Sequence, residues 1–340
     1  MEKERWPSGP GFYINMRRGA AIVHRWSSEL AEALTATRAK AVRIQEDWPE
    51  SGLDALLPFR AQVEKVVVER ELPDLSALGQ LSQLRELSIR GSAETVDFAR
   101  LPKLETMSMW SDHPTFGNLR DCPSLKKLSI VNCGLVDLEA LAGLKQLLEL
   151  GIGEAPLRSL KGVEELPSLQ RLVLSQVPLD SLVGVESAQG LSTVTLFRLR
   201  PLTSIVPLLR LPRLRVLEID GSKKIADLER LGEIAGLEEL RLISLALPDV
   251  NFLSRLSRLR VLALAHVGKI PSLGFLRGLT SLEGLGLLEN TTVEDGDLSV
   301  LLHLPALKRC QYTEHRHYSP RKDEIQAALR AKGGVVDGSD

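Results

Sequence analysis

The sequence predicts an α/β solenoid in which each turn of chain contributes one short strand to a parallel sheet and returns through a short 3₁₀ or irregular segment. A helix closes each end. Three observations predict it. The pattern L-x-x-L-x-L recurs in phase along most of the 340 residues. After each such stretch the apolar residues step by threes, as in Leu135, Leu138, Leu141 and Leu144. The core-forming residues are aliphatic, since 44% of the chain is hydrophobic but only 4% aromatic. A single core would not grow to this length, whereas a stack of like units needs only neighbour contacts.

At the amino end, Ser27-Ser28-Glu29 before LAEALTATRAK gives an N-cap serine and an early acid at the positive end of a helix dipole. The repeats follow. Their opening residues are Leu84, Leu104, Leu125, Leu147, Leu169, Leu191, Leu214, Leu237, Leu259 and Leu282, with a degraded last unit Leu307-Cys310-Tyr312. Val63-Val66-Val68 and Ala39-Val42-Ile44 extend the series toward the amino end. At the carboxyl end, Ser319-Pro320 before RKDEIQAALRAK and Gly333-Gly334 reads as N-cap, first-turn proline and glycine stop. VVDGSD is then a tail.

The spacing has a physical cause. In L-x-x-L-x-L the last two apolar residues alternate with polar ones, so they share one face of a strand. The threefold step that follows suits a 3₁₀-like return with one apolar edge. One unit cannot enclose its own leucines and must stack on others.

In these units the chain resembles the leucine-rich repeat family over residues 39–313, and in its 22-residue repeats it is most similar to the SDS22-like and internalin-like subclasses. The resemblance implies a right-handed horseshoe with the parallel sheet on its concave face, 1–38 and 314–340 being the end caps. The family's strand-end asparagine is mostly replaced here, by Ser92, Asp112, Cys133, Ala155, Val177, Leu199, Ser222, Leu245 and Val267, and kept at Asn290. That departure predicts less regular turns.

Function in such a stack belongs to the outward strand positions, which form three rows. The first row, at the third repeat position, includes Glu86, Lys127, Glu149, Arg171, Glu239 and Arg309. The middle row is mostly small, from Ser88, Ser108 and Ser129 to Gly286, but carries Glu218 and Arg241. The last row holds Arg90, Trp110, Val131, Phe197, Asp220, Ile243 and Thr313. Trp110 and Phe197 are large aromatics where the repeat does not need them, which suits either partner contact or packing against a local neighbour such as Arg198. The mixed charges favour a particular protein over a polyanion. The expected partner-binding set is Trp110, Lys127, Val131, Arg171, Phe197, Glu218, Asp220, Glu239, Arg241 and Ile243.

Other motifs carry less. A net charge of −1 gives no general pull toward nucleic acid or anionic membrane. Arg213, Arg215, Arg258 and Arg260 flank the strand-opening leucine and read as solvated. His315 and His317 lack a third ligand, so no metal or other cofactor is expected. Cys310 and Cys133 fall at core and turn positions rather than beside a base. No GxxxxGK[ST], GxSxG, HExxH or paired CxxC occurs. No secretory apolar stretch is evident at the start. The expectation is a non-enzymatic, cytoplasmic, monomeric protein-binding module without nucleic-acid or membrane partners. Its alternatives are an inhibitor or immunity protein against a toxin, or a regulatory subunit of an enzyme.

Overall fold

The computed structural model describes residues 8–9, 12–15, 20–23, 25–45, 52–111 and 118–334. The carboxyl-terminal tail and the loop after Trp110, including Asp112, lie outside the described residues. The chain forms two compact units, one of residues 1–157 with 161–169 and the other of 158–160 with 170–340.

In the first unit the strands are β1 (Ser8–Gly9), β2 (Phe12–Asn15), β3 (Ala20–Val23), β4 (Ala41–Ile44), β5 (Lys65–Val68), β6 (Glu86–Arg90), β7 (Thr106–Trp110), β8 (Lys127–Val131) and β9 (Glu149–Gly153). β1, β2 and β3 pair antiparallel, and from β3 onward every pairing is parallel in chain order. Helix α1 (Ser28–Thr37) connects β3 to β4, and the Ser27 hydroxyl accepts the Leu30 N–H at 3.2 Å, as its N-cap position predicts. The helix is therefore preceded by three strands that no L-x-x-L pattern announced.

The second unit contains β10 (Arg171–Ser175), β11 (Thr193–Phe197), β12 (Val216–Asp220), β13 (Glu239–Ile243), β14 (Val261–Ala265), β15 (Lys269–Ile270), β16 (Gly284–Leu288), β17 (Thr292–Val293), the short helix α2 (Val300–His303), β18 (Arg309–Tyr312) and α3 (Lys322–Ala331). β10 to β14, β16 and β18 pair parallel in that order, while β15 and β17 make a second, two-stranded parallel ladder on the return side. Helix α3 begins two residues later than its sequence suggests. Its N-cap is Arg321, whose N–H donates to Glu324 Oε1 at 3.1 Å, so Ser319 and Pro320 stand outside the helix.

The predicted inward leucines are buried. Leu128, Ile130, Leu150 and Ile152 are at most 2% exposed, as are their counterparts Leu217, Ile219, Leu240 and Leu242. Burying each such side chain is worth roughly 1.5–3 kcal/mol. The returns are short 3₁₀ segments such as Glu139–Leu141, Val163–Glu165 and Asn251–Arg255. Three residues per turn keep Leu138, Leu141, Leu144 and Leu147 on one line, all buried.

The turns after the strands are regular, contrary to the expectation drawn from the missing asparagines. In nine of the ten turns, Ser111 before Asp112 being the exception, the residue before the asparagine position has a positive φ: Asn132, Glu154, Gln176, Arg198, Ser244, His266 and Glu289 all have φ between 51° and 55°, and Gly91 and Gly221 take the same place. In seven of these turns its N–H donates to the next strand's last carbonyl, as from Arg198 to Asp220 O at 2.7 Å and from Gly221 to Ile243 O at 3.0 Å. Continuing the ladder by one rung offsets the strain of a left-handed residue. The position is mostly filled by small or apolar groups that fit the interior, such as Cys133, Ala155 and Leu199. Ser222 is a buried polar case, its hydroxyl accepting the Leu199 N–H at 3.0 Å, while Asn290 is exposed.

A glycine pair separates two causes of constraint. Gly162 and Gly184 open successive 3₁₀ returns with φ of 98° and 101°, and each donates its N–H to the carboxylate two residues on, Glu164 and Glu186. A Cβ on Gly162 would lie 2.5 Å from the Leu138 carbonyl carbon, whereas on Gly184 nothing approaches closer than 3.8 Å. Gly184→Ala should then lose only backbone strain, about 1–3 kcal/mol, and Gly162→Ala clearly more. Urea midpoints of the two variants check this. Equal losses would contradict it.

Candidate functional site

The pairing registers place the outward rows as the repeat predicts. In the first unit Glu86, Thr106, Lys127 and Glu149 are lateral partners, as are Ser88, Ser108, Ser129 and Gly151, and Arg90, Trp110, Val131 and Gly153. In the second unit Arg171, Thr193, Val216 and Glu239 align, Glu218 stands beside Arg241, and Phe197, Asp220 and Ile243 form the last row. β18 ends at Tyr312, so Thr313 drops out of that row.

Trp110 is 52% exposed, and the Arg90 guanidinium lies over its ring at 5.5 Å. Val131, beside it, is half-buried. Lys127 is spent on its neighbour in the first row, 2.7 Å from Glu149. The strands β4 to β7 also line a recess of about 750 Å³, bordered by Arg43, Lys65, Glu69, Glu86, Arg90 and Trp110 and floored by Val67, Ser88 and Ser108. Within it Arg43 pairs with Glu69 at 3.1 Å, and Lys65 pairs with Glu86.

In the second unit Phe197 is half-buried, with the Arg198 guanidinium 4.8 Å above its ring, so the local neighbour foreseen for it is present. Arg241 pairs with Glu239 on its own strand at 3.1 Å. Glu218 and Asp220, two residues apart on one strand face, and Arg171 on β10 make no ion pair among the described residues. Ile243 is half-buried beside Asp220. The unit thus presents two free carboxylates between an aromatic and an aliphatic side chain.

A fourth row, just outside the sheet, escaped the sequence reading. Lys40, Glu64, Arg85, Glu105 and Lys126 alternate in sign one coil apart, with Lys40–Glu64 at 2.8 Å, Arg85–Glu105 at 3.9 Å and Lys126–Glu105 at 3.0 Å. Arg215, Glu238, Arg260, Glu283 and Lys308 repeat the arrangement in the second unit, at 3.5 Å for Arg215–Glu238, 2.7 Å for Arg260–Glu283 and 3.6 Å for Lys308–Glu283. Arg215 and Arg260, expected to be merely solvated, belong to it. The signal was present as alternation at one fixed repeat position. The backbone holds these side chains in line, because each row carbonyl accepts two amides of the next coil. Glu238 O, for example, accepts from Arg260 and Val261 at 2.8 and 3.0 Å.

None of the three cysteines is activated as a nucleophile. All three cysteines are free, and burial pushes the thiols up, Cys122 to about 11 and Cys310 to about 12. Cys310 as a residue is only half-buried, but its sulfur is enclosed. His317 Nε2 is 2.9 Å from Val293 O, and His315 packs edge-on to Tyr318 at 5.0 Å. Among the described residues no three His, Cys, Asp or Glu side chains converge as metal ligands, and no helix is long and apolar enough to cross a membrane.

No protein-family model and no curated protein matches the chain. Solved structures do. An internalin of Listeria monocytogenes is similar over 96% of this chain and 90% of its own, at 20% identity and a TM-score of 0.54. A leucine-rich repeat protein of Leptospira interrogans is similar over 93% of each chain, at 17% identity and a TM-score of 0.61. At this identity they establish the leucine-rich repeat fold and leave the subclass open.

The charged edge row has a pH signature. A hydrogen bond to Lys126 holds Glu105 below its ordinary value of 4.5, and one to Arg260 does the same for Glu283. A carboxylate whose value falls on folding contributes stability above its ordinary value, and this is lost as pH drops through the folded value. Glu105→Gln and Glu283→Gln should therefore lower the urea midpoint at neutral pH, with the gap to the parent closing in acid. A gap unchanged down to about pH 3.5 would disprove the contribution.

Proposed function

We propose that this leucine-rich repeat solenoid is a non-enzymatic binding protein that engages a protein partner across the outer, concave face of its sheet. One observation carries the reading. The inward positions of the repeat strands from β6 to β16 are buried in the core, while the outer face displays an exposed Trp110 and free charges at Arg171, Glu218 and Asp220 that the stack does not use. Such residues are typical anchors of protein interfaces. A preformed sheet also loses little conformational freedom on binding, so a few anchors suffice.

The contact set is Trp110, Lys127 and Val131 on the first unit, and Arg171, Phe197, Glu218, Asp220, Glu239, Arg241 and Ile243 on the second. Residues 39–313 are the binding body and the flanking segments its caps. The chain acts as a monomer in the cytoplasm, where three unpaired thiols are at home. Mixed charge on the face, with both signs already paired at Lys127–Glu149 and Arg241–Glu239, disfavours a polyanion and favours a matched protein surface.

Affinity capture from the native cell supplies the partner for the test. Arg171→Glu and Asp220→Lys should each weaken its binding about tenfold or more, roughly 1.4 kcal/mol, with the thermal midpoint unchanged. Titration calorimetry reads the loss. Unaltered affinity in both variants would remove the proposal.

A further inference from the structure

The recess over β4 to β7 has a charge account that does not close. Arg43 and Lys65 are each neutralised by a carboxylate of the same recess, Glu69 and Glu86. Arg90 has no ion pair among the described residues. Its guanidinium is held instead over the ring of Trp110, which keeps a fixed planar donor set at the rim and leaves the carboxylate-binding fork open. The floor below adds two hydroxyls one strand apart, Ser88 and Ser108, with no hydrogen bond to any described residue. A hydroxyl both donates and accepts, so it can serve either the N–H or the C=O of a passing backbone.

Resting on the reading of this face as a docking surface, we infer that the recess takes an acidic, extended segment of a protein partner. One Asp or Glu side chain engages Arg90, an aliphatic neighbour covers Trp110, and the backbone crosses Ser88 and Ser108. Charge complementarity decides the occupant. A single uncompensated cation matches an isolated carboxylate, and the two fixed carboxylates of the lining repel a nucleic acid or a densely charged polyanion. A basic segment would meet Arg90 uncompensated. The recess, about 750 Å³ and open to solvent along one side, has room for a short chain segment.

The test uses the full chain and three fluorescently labelled, end-blocked hexapeptides in which leucine alternates with aspartate, lysine or serine, read by fluorescence anisotropy at low salt. The aspartate peptide should bind at least about tenfold more tightly than the other two. Arg90→Glu should abolish that preference and shift it toward the lysine peptide. Trp110→Ala should weaken the aspartate peptide several-fold, and Arg277→Glu, an exposed arginine of the second unit, should change nothing. Equal binding of all three, no binding of any, or an aspartate preference indifferent to Arg90→Glu would each overturn the inference. Those results would leave the wider docking proposal to its own variants at Arg171 and Asp220, which lie on the other unit.

Discussion

The leucines of any one coil have to be covered by the leucines of the coils before and after it, because a turn of about 22 residues has no inside of its own. This shared aliphatic interior is what the other features of both units serve. It fixes the inward strand positions, where Leu128 and Ile130 meet Leu150 and Ile152. It forces the return path to keep an apolar line, which a 3₁₀ segment supplies with fewer residues than an α-helix. It also frees the outward positions from any part in folding, so their side chains can be large, charged or absent.

Such a stack needs the coils to stay in step. Two backbone devices accomplish this at the ends of most repeat strands. Ahead of the strand, one carbonyl accepts two amides of the following coil; behind it, a left-handed residue sends its N–H to the same neighbour. Both act through main-chain atoms, which explains why Glu, Gln, Arg, Ser and His can all occupy the left-handed position. The family's asparagine is one way to finish that turn, and a buried methyl or thiol beside a correctly turned backbone is another.

How much of this was legible in the sequence follows from which atoms carry each feature. The inward residues repeat with a strict period, so the core and the three outward rows could be read position by position. The turns were misjudged because their regularity lies in φ, not in residue type. The edge row was overlooked since its residues differ in sign from coil to coil, and only alignment of the coils reveals the alternation. β1 to β3 are short and lack the leucine pattern. Within the candidate surface, the sequence located Trp110 and Arg90 in one row, yet only the structure shows the guanidinium resting on the indole, since that depends on rotamers.

The alternating edge row constrains how a protein of this kind can grow or shrink. From Arg215 to Lys308, and again from Lys40 to Lys126, cation follows anion at each step of the stack. Removing or duplicating one coil within either run would bring two like charges face to face along that border, whereas a change of two coils would restore the order. The natural unit of insertion in these segments is therefore a doublet, although the hydrophobic motif itself repeats singly.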